Sequence, residues 1–487
     1  METNKLSPSL SNTDLLPVKP EERTWKAFNF ASIWMGCIHN IPTYATVGGL
    51  IAIGMSPWQV LAVILVASLI LYAALSLNGH AGAKYAIPFP VFIRSSYGVL
   101  GANVPALLRG FVAIMWFGIQ AFAGSTALNI LLLNVWDGWG TLGGDWNLLG
   151  LHLPGLLSFL LFWGLNVLVL HHGMESIKKF EVWAGPLVYV VFGGMVWWAI
   201  DIAGGLGPIY AQASKFQSFG DLFWVFVASV TGIIGIWATL ILNIPDFTRF
   251  AKSQKEQIKG QFWGLPGTFI LFAFASITVT SGSQVAFGTP IWDVVEILKY
   301  FNHPFIIAVS VITLCMASVS VNVAANIVSP AYDLANLFPK WITFKRGGYI
   351  AAILSLLTVP WKMMEQSTSI FAFLGTIGGA LGPVAGVMFA DYFIIRKRTL
   401  EVDELYKLNG KYTYYKGYNY RAFVATAIGA FVSLIGQFVP SLKYLYDISW
   451  FVGVLFAFVT YIALMRLHPP AAIAINESKE SLIEKTV

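Results

Sequence analysis

The chain has 487 residues, of which 57% are hydrophobic and only 11% are charged, and its net charge is +6. Soluble domains carry about 25% charged residues, so this composition excludes an ordinary soluble protein, a disordered chain and a coiled coil, and two cysteines are too few for a disulfide scaffold. Because each transmembrane helix needs about 20 apolar residues, twelve such helices would use about half of the chain and leave no sizeable soluble domain.

Twelve apolar spans follow one another along the chain, separated by charged or Gly/Pro-rich joints. Residues 1–27 precede them as a polar segment, which predicts a cytoplasmic N-terminal tail and no cleavable signal peptide. The predicted first to twelfth spans are 28–53, 57–78, 103–133, 154–173, 183–204, 222–245, 262–284, 304–332, 347–363, 367–395, 420–440 and 447–467. Residues 468–487 are predicted to be a cytoplasmic C-terminal tail. We therefore predict an all-α polytopic membrane protein with twelve transmembrane helices.

The distribution of basic residues predicts the orientation of these spans. Of the 30 Lys and Arg residues, 25 fall on the side of the N-terminus, and Arg109 lies inside the third span. The other four, on the opposite side, are Lys215, Lys299, Lys362 and Lys443. Basic residues concentrate on the cytoplasmic side of membrane proteins. Both termini are therefore predicted to be cytoplasmic in a protein of the cell membrane, and the positive charge indicates orientation rather than a nucleic-acid partner.

Two spans contain helix-breaking sequence at corresponding points. The first carries a run from Gly36 to Pro42 that includes Asn40, and the sixth carries a run from Thr231 to Gly235 with two glycines. Proline removes an amide donor and glycine lowers the cost of unwinding, so both spans are predicted to be interrupted at mid-membrane. Such a pair, five spans apart, is typical of two inverted five-helix repeats with a binding site between them. The alternative is that the glycines only allow close helix packing.

Polar side chains in three spans indicate a binding site. In the third span Trp116 and Gln120 share a helix face, and a stacking surface beside a carboxamide suits a flat ligand with amide groups. In the eighth span Asn322 and Asn326 also share a face, and Trp237 of the sixth span would close the opposite side of a planar ring. The alternatives are hydrogen bonds between helices for the amides and core packing for the indoles.

Acidic residues and catalytic motifs are absent from the middle of the predicted spans. The acidic residues Asp201, Asp246 and Asp391 all lie near span ends. Charged ligands are usually met by buried charges or helix termini, so a neutral or weakly acidic substrate is predicted. There is no phosphate-binding loop, dinucleotide fingerprint, zinc pair or nucleophile elbow, so neither an enzyme nor a metal or cofactor is predicted. A channel would need a continuous polar stripe, whereas these polar residues cluster at mid-depth.

The same segments carry a family resemblance. They are Ile33-Trp34 with the break through Asn40, Trp116 to Gln120, Trp237 followed by Pro245-Asp246, Asn322 to Tyr332, and Gly382 to Gly386 with Asp391-Tyr392-Phe393. In combination they resemble the nucleobase-cation symporter family of purine, pyrimidine, allantoin and hydantoin permeases, and the similarity covers nearly the whole chain. The stretches 40–44 and 170–175 are more similar to the allantoin branch than to the hydantoin branch.

This resemblance implies the LeuT-like inverted-repeat fold shared with sodium-coupled amino-acid transporters. Residues 28–204 would form repeat one, residues 222–395 repeat two, and residues 420–467 two peripheral helices. The implied function is a secondary transporter that imports allantoin, or a close hydantoin or ureide, by alternating access and without an obligate protein partner. The alternative is a sodium-coupled permease of the same fold for a purine, a pyrimidine or another hydantoin.

The resemblance also implies which residues bind the substrate. The matching positions are Trp116, Gln120, Trp237, Asn326, Asn40, Ile236 and Asn322. Trp116 and Trp237 would stack on the two faces of the ring, and Gln120 and Asn326 would hydrogen-bond its amides. Asn40 stands where the hydantoin branch has glutamine, so its shorter side chain is expected to accommodate the ureido tail of allantoin.

The cation site is where the sequence departs from the family. In the sodium-coupled member the ion is held by carbonyls of the broken first helix and by a carbonyl and two hydroxyls of the eighth. The matching positions are Gly36, His39, Ala317, Ser320 and Val321. Val321 replaces a threonine, and a valine methyl cannot supply the oxygen that sodium needs. We predict weak or no sodium dependence, with proton coupling or facilitated diffusion instead and His39 as a candidate proton carrier.

Overall fold

The computed structural model describes residues 6–171, 174–216, 218–300, 304–364 and 367–470. Over these ranges the chain is mainly helical, and the strands found there are the short pair Asn147–Leu148 and Leu151–His152. Most of the predicted C-terminal tail and part of the stretch 170–175 lie outside the described residues.

Ten helices within the described ranges are long and apolar enough to cross a membrane. They are Pro57–Tyr85, Asn103–Val135, Leu153–His171, Val182–Ile202, Phe219–Asn243, Gln254–Phe287, Phe305–Leu337, Gly375–Ile395, Tyr420–Gln437 and Ser449–Leu467. The first span is divided into Ala27–Ile38 and Ile41–Ala52, and the ninth is the shorter helix Phe344–Leu356. This arrangement is consistent with the twelve predicted spans. Short connecting helices lie at Phe89–Phe92, Arg94–Tyr97, Leu206–Tyr210, Pro245–Thr248, Val294–Ile297, Pro360–Met364 and Lys443–Asp447.

Large apolar side chains are exposed around the outside of these helices. Phe111 is 59% exposed, Leu161 is 54% exposed and Val190 is 70% exposed. Each square ångström of apolar surface left in water costs about 25 cal/mol, so such a surface suits hydrocarbon rather than water. The periphery therefore fits a protein surrounded by a lipid bilayer.

The break in the first span lies where the sequence predicts it. Asn40 adopts an extended backbone (φ −131°, ψ 160°) between the two helices. Its Oδ1 accepts a hydrogen bond from the backbone N of Thr43 at 3.0 Å, which caps the second helix, and its Nδ2 donates to the carbonyl of Cys37 at 2.6 Å. Pro42 occupies the first turn of the second helix, where no amide donor is needed. The break thus carries its own hydrogen-bond partners, as membrane depth requires.

The predicted interruption of the sixth span is wrong. Helix Phe219–Asn243 runs unbroken through Thr231 to Gly235, and Thr231 Oγ1 donates to the carbonyl of Val227 one turn earlier at 2.9 Å. A glycine inside a helix costs about 1 kcal/mol, whereas a backbone group left unpaired in hydrocarbon costs several. This run contains no proline to remove a donor, so the continuous helix is the more stable arrangement.

The described chain has three π-helical turns: Trp263–Gly267 and Asn322–Ile327 each interrupt a helix, and Ala390–Ile395 ends the tenth span. Such turns are rare and often mark functional sites, because they change which side chains and carbonyls face a neighbouring helix. The eighth span continues beyond its π-helical turn as Val328–Leu337, past its predicted end at residue 332.

Residues 6–26, called the N-terminal segment below, pack against the helix ends on one face of the protein. We call this face the N-terminal face. Leu15 and Trp25 are buried there. Asn12 Nδ2 donates to two carbonyls ahead of the ninth span, at 3.3 and 3.2 Å, and Arg249 donates to two carbonyls of the segment itself, each at 2.9 Å. The polar residues at the start of the chain are therefore a packed part of the fold.

Asp391 connects the end of the tenth span to two other parts of the chain. It is fully buried in the π-helical turn, and its Oδ2 accepts hydrogen bonds from Arg396 Nε at 2.7 Å and from the hydroxyls of Ser95 and Ser96 at 3.1 Å. Tyr461 of the twelfth span donates to Oδ1 at 2.7 Å. The Asp391 carboxylate thus joins the tenth span to the short helix Arg94–Tyr97 and to the twelfth span.

Candidate functional site

The break in the first span meets the third span through two buried carboxamides. Gln120 Nε2 donates to Asn40 Oδ1 at 3.2 Å. The same oxygen caps the backbone N of Thr43, and Asn40 Nδ2 donates to the carbonyl of Cys37. The amide of Asn40 is therefore engaged within the chain on both its oxygen and its nitrogen. Asn40 lies at the predicted position, and its contacts orient Gln120.

The eighth span presents its two asparagines from the π-helical turn Asn322–Ile327. Asn326 Nδ2 donates to Asn322 Oδ1 at 3.0 Å, so the two side chains share a face, as predicted. Asn322 Nδ2 donates to the carbonyl of Phe117 at 3.1 Å, between Trp116 and Gln120 on the third span. Asn322 thus provides the link between helices that the sequence left as an alternative, and it positions Asn326.

Both predicted indoles lie in the interior of the protein. Trp116 is 5% exposed and Trp237 is 2% exposed. The ring of Trp237 stands edge-on to that of Trp34, with centroids 5.8 Å apart and planes at 74°. The ring of Trp116 lies 6.0 Å from that of Phe373. Ile236, beside Trp237 in the sequence, is half-buried.

Three buried polar atoms on these side chains have no hydrogen-bond partner in the described part of the chain. They are Trp116 Nε1, Trp237 Nε1 and Gln120 Oε1. An unpaired buried polar group costs about 1–3 kcal/mol, so native proteins rarely keep one without a reason. Two N–H donors and one acceptor beside aromatic rings complement a neutral planar molecule with carbonyl and N–H groups. The arrangement suits recognition of an uncharged heterocycle.

A small apolar cavity lies beside Trp34, toward the N-terminal face. Its volume is ≈ 10 Å³, and it is lined by the first half of the first span, including Phe30 and Cys37, by the end of the sixth span from Leu240 to Phe247, and by Ala324. A cavity of this size has room for about one water molecule. This cavity is therefore too small to hold a heterocyclic substrate in the conformation described.

The predicted cation residues lie at the ends of two helices that pack against each other. Two lie at the end of the first half of the first span, and three lie just ahead of the π-helical turn of the eighth span. All five are buried: Gly36, His39, Ala317, Ser320 and Val321. Among the residues that the structure describes, no group of three or more His, Cys, Asp or Glu side chains is placed to hold a metal ion.

The side chain of His39 packs among aromatic rings. Its Nδ1 lies 2.7 Å from the carbonyl of Met35, one turn earlier. Its ring centroid is 4.4 Å from that of Tyr189, 5.5 Å from that of Phe192 and 5.0 Å from that of Phe272. These contacts give His39 a packing role in the conformation described, and proton transfer by His39 stays a prediction.

Sequence reasoning missed a group of buried charges near this site. Arg109, Asp246 and Asp333 are all fully buried. Arg109 Nη2 donates to Asn243 Oδ1 at 2.8 Å and to the carbonyl of Ala325 at 2.9 Å. Asp333 follows the predicted end of the eighth span at residue 332, and it is buried because the eighth helix continues past it to Leu337. Arg109 itself could have indicated this group from the sequence, because a charge inside an apolar span needs buried polar partners.

Comparisons with known proteins cover nearly the whole chain. Residues 17–453 match the model of a family described as permease for cytosine/purines, uracil, thiamine, allantoin. The chain is 73% identical over 484 residues to the allantoin permease of Bacillus subtilis strain 168, covering 99% of each protein. It is 42% identical over 456 residues to a putative allantoin permease of Escherichia coli K12, covering 93% of this chain and 94% of that protein.

A solved structure also matches over nearly the full length. It is a nucleobase-cation-symport-1 family transporter in a closed conformation with bromovinylhydantoin bound. The TM-score is 0.79 and the identity is 26%, over 96% of this chain and 99% of that one. This match confirms the predicted polytopic helical fold of an inverted-repeat transporter.

Proposed function

Because this chain belongs to the family of permeases for cytosine, purines, uracil, thiamine and allantoin, we propose that it is a secondary transporter that imports allantoin, or a closely related hydantoin or ureide, by alternating access. The 73% identity to an allantoin permease supports this substrate class. The observation that carries the proposal is the set of unpaired polar atoms on Trp116, Trp237 and Gln120. Allantoin is a hydantoin ring with a ureido tail, so the N–H groups of the stacked ring can donate to Gln120 Oε1, and the carbonyl of the tail, beyond the edge of that ring, can accept from an indole N–H.

In this proposal the ring lies flat against the indoles. Side chains on two sides of the ring form hydrogen bonds with the amide groups of the substrate. Gln120 is held by Asn40 of the first span, and Asn326 is held by Asn322 of the eighth. Each ligand-binding amide is thus fixed by a second amide behind it, which lowers the entropy lost on binding. The backbone of Ile236 would complete the site from the sixth span.

Counterflow of labelled allantoin in proteoliposomes tests the function. Vesicles loaded with unlabelled allantoin should take up labelled allantoin transiently, saturably and without chemical change, which a channel or an enzyme would not do. Excess hydantoin, allantoic acid, uric acid, uracil or cytosine in the outer solution ranks the substrates. Stronger competition by uracil or cytosine than by allantoin itself would identify a nucleobase permease instead.

We also propose that the N-terminal face is the cytoplasmic face in the cell membrane. The support is the distribution of Lys and Arg, of which 25 of 30 belong to this side by sequence. We propose neither a nucleic acid nor an obligate protein as a partner.

Transport is expected to depend weakly or not at all on sodium. Val321 is buried at the position where the sodium-coupled member has a threonine, and its methyl groups cannot coordinate a cation. Replacing sodium by choline should therefore change the initial uptake rate less than about twofold, and a proton uncoupler should lower accumulation. Strong stimulation by sodium would contradict this prediction. Uptake that neither treatment alters would indicate facilitated diffusion.

Asn40→Gln is expected to lower the preference for allantoin over plain hydantoins several-fold. The longer side chain would occupy the space assigned to the ureido tail and displace the hydrogen bond to Gln120, and one such bond contributes about 1 kcal/mol. The measurement is the ratio of uptake rates for the two substrates. Asn134→Gln, at an exposed asparagine of the third span, is the control. An unchanged ratio in Asn40→Gln would count against contact with the tail.

A further inference from the structure

Arg109 is a fully buried arginine on the span that carries Trp116 and Gln120. It precedes Trp116 by seven residues and Gln120 by eleven, about two and three helical turns, so the three side chains share one face of the third span. A charge inside a membrane-spanning helix is costly and needs polar partners. None of the roles assigned above to the substrate side chains uses this arginine.

The guanidinium of Arg109 contacts the two other spans that carry candidate substrate side chains. Its Nη2 donates to the carbonyl of Ala325 at 2.9 Å, next to Asn326 in the π-helical turn of the eighth span. The same Nη2 donates to Asn243 Oδ1 at 2.8 Å, at the end of the sixth span. Its Nε lies 3.5 Å from the carbonyl of Thr239, also of the sixth span. One side chain therefore joins all three spans.

The π-helical turn explains why the carbonyl of Ala325 accepts a hydrogen bond from outside its own helix. In such a turn the N–H groups bond to carbonyls five residues earlier rather than four, so the change of spacing displaces carbonyls from the helical pattern. Pro330, five residues after Ala325, has no N–H and cannot donate back to this turn. A carbonyl freed in this way at membrane depth needs another donor. Arg109 provides that donor.

Hydrogen bonds join the π-helical turn to the third span at two places. Asn322 Nδ2 donates to the carbonyl of Phe117 at 3.1 Å, and Arg109 donates to the carbonyl of Ala325. Asn326 follows Ala325 directly, and its Nδ2 donates to Asn322 Oδ1 at 3.0 Å. Without Arg109 the turn would keep only the bond through Asn322, so the position of Asn326 would be less well fixed.

We infer that Arg109 is a positioning residue for substrate binding: its guanidinium holds the π-helical turn of the eighth span against the sixth span and so fixes where the amide of Asn326 meets the ligand. The inference rests on the proposed function and adds a residue that acts on the substrate through another side chain. A guanidinium suits this role because its N–H groups point in fixed directions within one plane, whereas an ammonium is a single charge on a flexible stem.

Arg109→Lys separates positioning from charge. A lysine keeps a positive charge for the buried carboxylates Asp246 and Asp333, with which Arg109 interacts electrostatically. Its ammonium cannot reproduce the planar fork that contacts both Asn243 and the carbonyl of Ala325. Because a hydrogen bond to a charged group is stronger than a neutral one, we expect Arg109→Lys to fold and to bind allantoin about tenfold more weakly than the wild type.

A double-mutant cycle with Asn326→Ala distinguishes positioning from a general loss of stability. Binding of labelled allantoin is measured at equilibrium on purified full-length protein, at concentrations that saturate the weakest variant. In the Asn326→Ala background, Arg109→Lys should change the affinity less than about twofold, because the side chain that Arg109 positions is then absent. Two independent effects would instead add.

Arg94→Lys is the matched control. Arg94 is also fully buried, and it donates to the carbonyl of Leu405 at 3.0 Å and to Asn336 Oδ1 at 2.6 Å. It therefore also bonds one carbonyl and one asparagine, but neither partner has a predicted role in substrate binding. Arg94→Lys should lower the thermal stability, whereas the folded protein should bind allantoin with the wild-type affinity.

Asn243→Ala covers the case in which Arg109→Lys does not fold. It removes the acceptor on the sixth span and leaves the arginine in place, so allantoin binding should weaken several-fold, again only while Asn326 is present. The inference is overturned if the folded variant binds like the wild type, if its loss is equal with and without Asn326, or if Arg94→Lys loses as much affinity. Absence of counterflow in the wild type would instead overturn the proposed function. Wild-type counterflow with additive losses in the cycle would overturn the inference alone.

Discussion

Replacing Trp116 with alanine is expected to abolish measurable allantoin uptake at low substrate concentration while the protein still reaches the membrane. Stacking of a heterocycle on an aromatic side chain contributes about 1–3 kcal/mol, so the affinity should fall about 5- to 150-fold. Trp116→Phe keeps a stacking face and loses the free Nε1 donor, so an intermediate loss is expected. Equilibrium binding and initial uptake rates in proteoliposomes measure both effects.

A matched tryptophan and a second site residue make this experiment decisive. Trp197 is 72% exposed on the fifth span, so Trp197→Ala should transport at the wild-type rate. Asn326→Ala should lose uptake as Trp116→Ala does, because it removes the amide that Asn322 positions. Normal uptake in either Trp116→Ala or Asn326→Ala would refute the proposed site. Loss in Trp197→Ala as well would show a general effect of truncating a tryptophan.

Asp391→Ala is expected to destabilise the protein by about 3–5 kcal/mol. Removing one partner of a buried ion pair leaves the other charge without compensation, and the side chain of Arg396 is only 5% exposed. The hydroxyls of Ser95, Ser96 and Tyr461 lose their acceptor at the same time. The lower stability of Asp391→Ala should appear as faster thermal inactivation in detergent and as a smaller folded fraction after extraction.

An exposed ion pair of the same charge type serves as the control. Lys443 Nζ lies 2.7 Å from Asp447 Oδ1, but the lysine side chain is 69% exposed, and such pairs contribute about 0–1 kcal/mol. Asp447→Ala should therefore inactivate at nearly the wild-type rate. Equal stability of Asp391→Ala and Asp447→Ala would show that the network around Asp391 does not anchor the tenth span.

The sequence was sufficient to predict features that follow from local chemistry. Apolar length predicted the spans, and the run around Asn40 and Pro42 predicted the break in the first, because a proline and a capping side chain act within a few residues. The face shared by Asn322 and Asn326 follows from helical spacing alone. The sixth span was mispredicted because glycine permits unwinding without requiring it, and the surrounding hydrocarbon favours an intact helix.

Features that depend on contacts between distant segments could not be predicted from the sequence. The amide of Asn40 accepts a hydrogen bond from Gln120 as well as capping the second helix. The two residues are 80 positions apart, so no sequence pattern indicates this contact. The burial of Asp333 depends on how far the eighth helix continues after its π-helical turn. The packing of the N-terminal segment depends on partners such as Arg249, more than 230 residues away.

The apolar cavity beside Trp34 has consequences for how transport responds to temperature. Its volume of ≈ 10 Å³, together with the edge-on contact between Trp34 and Trp237, leaves no room for a heterocycle between the first and sixth spans at this point. A heterocycle that leaves toward the N-terminal face must part these helices, and water then hydrates side chains such as Phe30 and Leu240. Hydration of apolar surface raises the heat capacity, so the activation enthalpy of release increases with temperature. An Arrhenius plot of this step is therefore curved, and it steepens on warming.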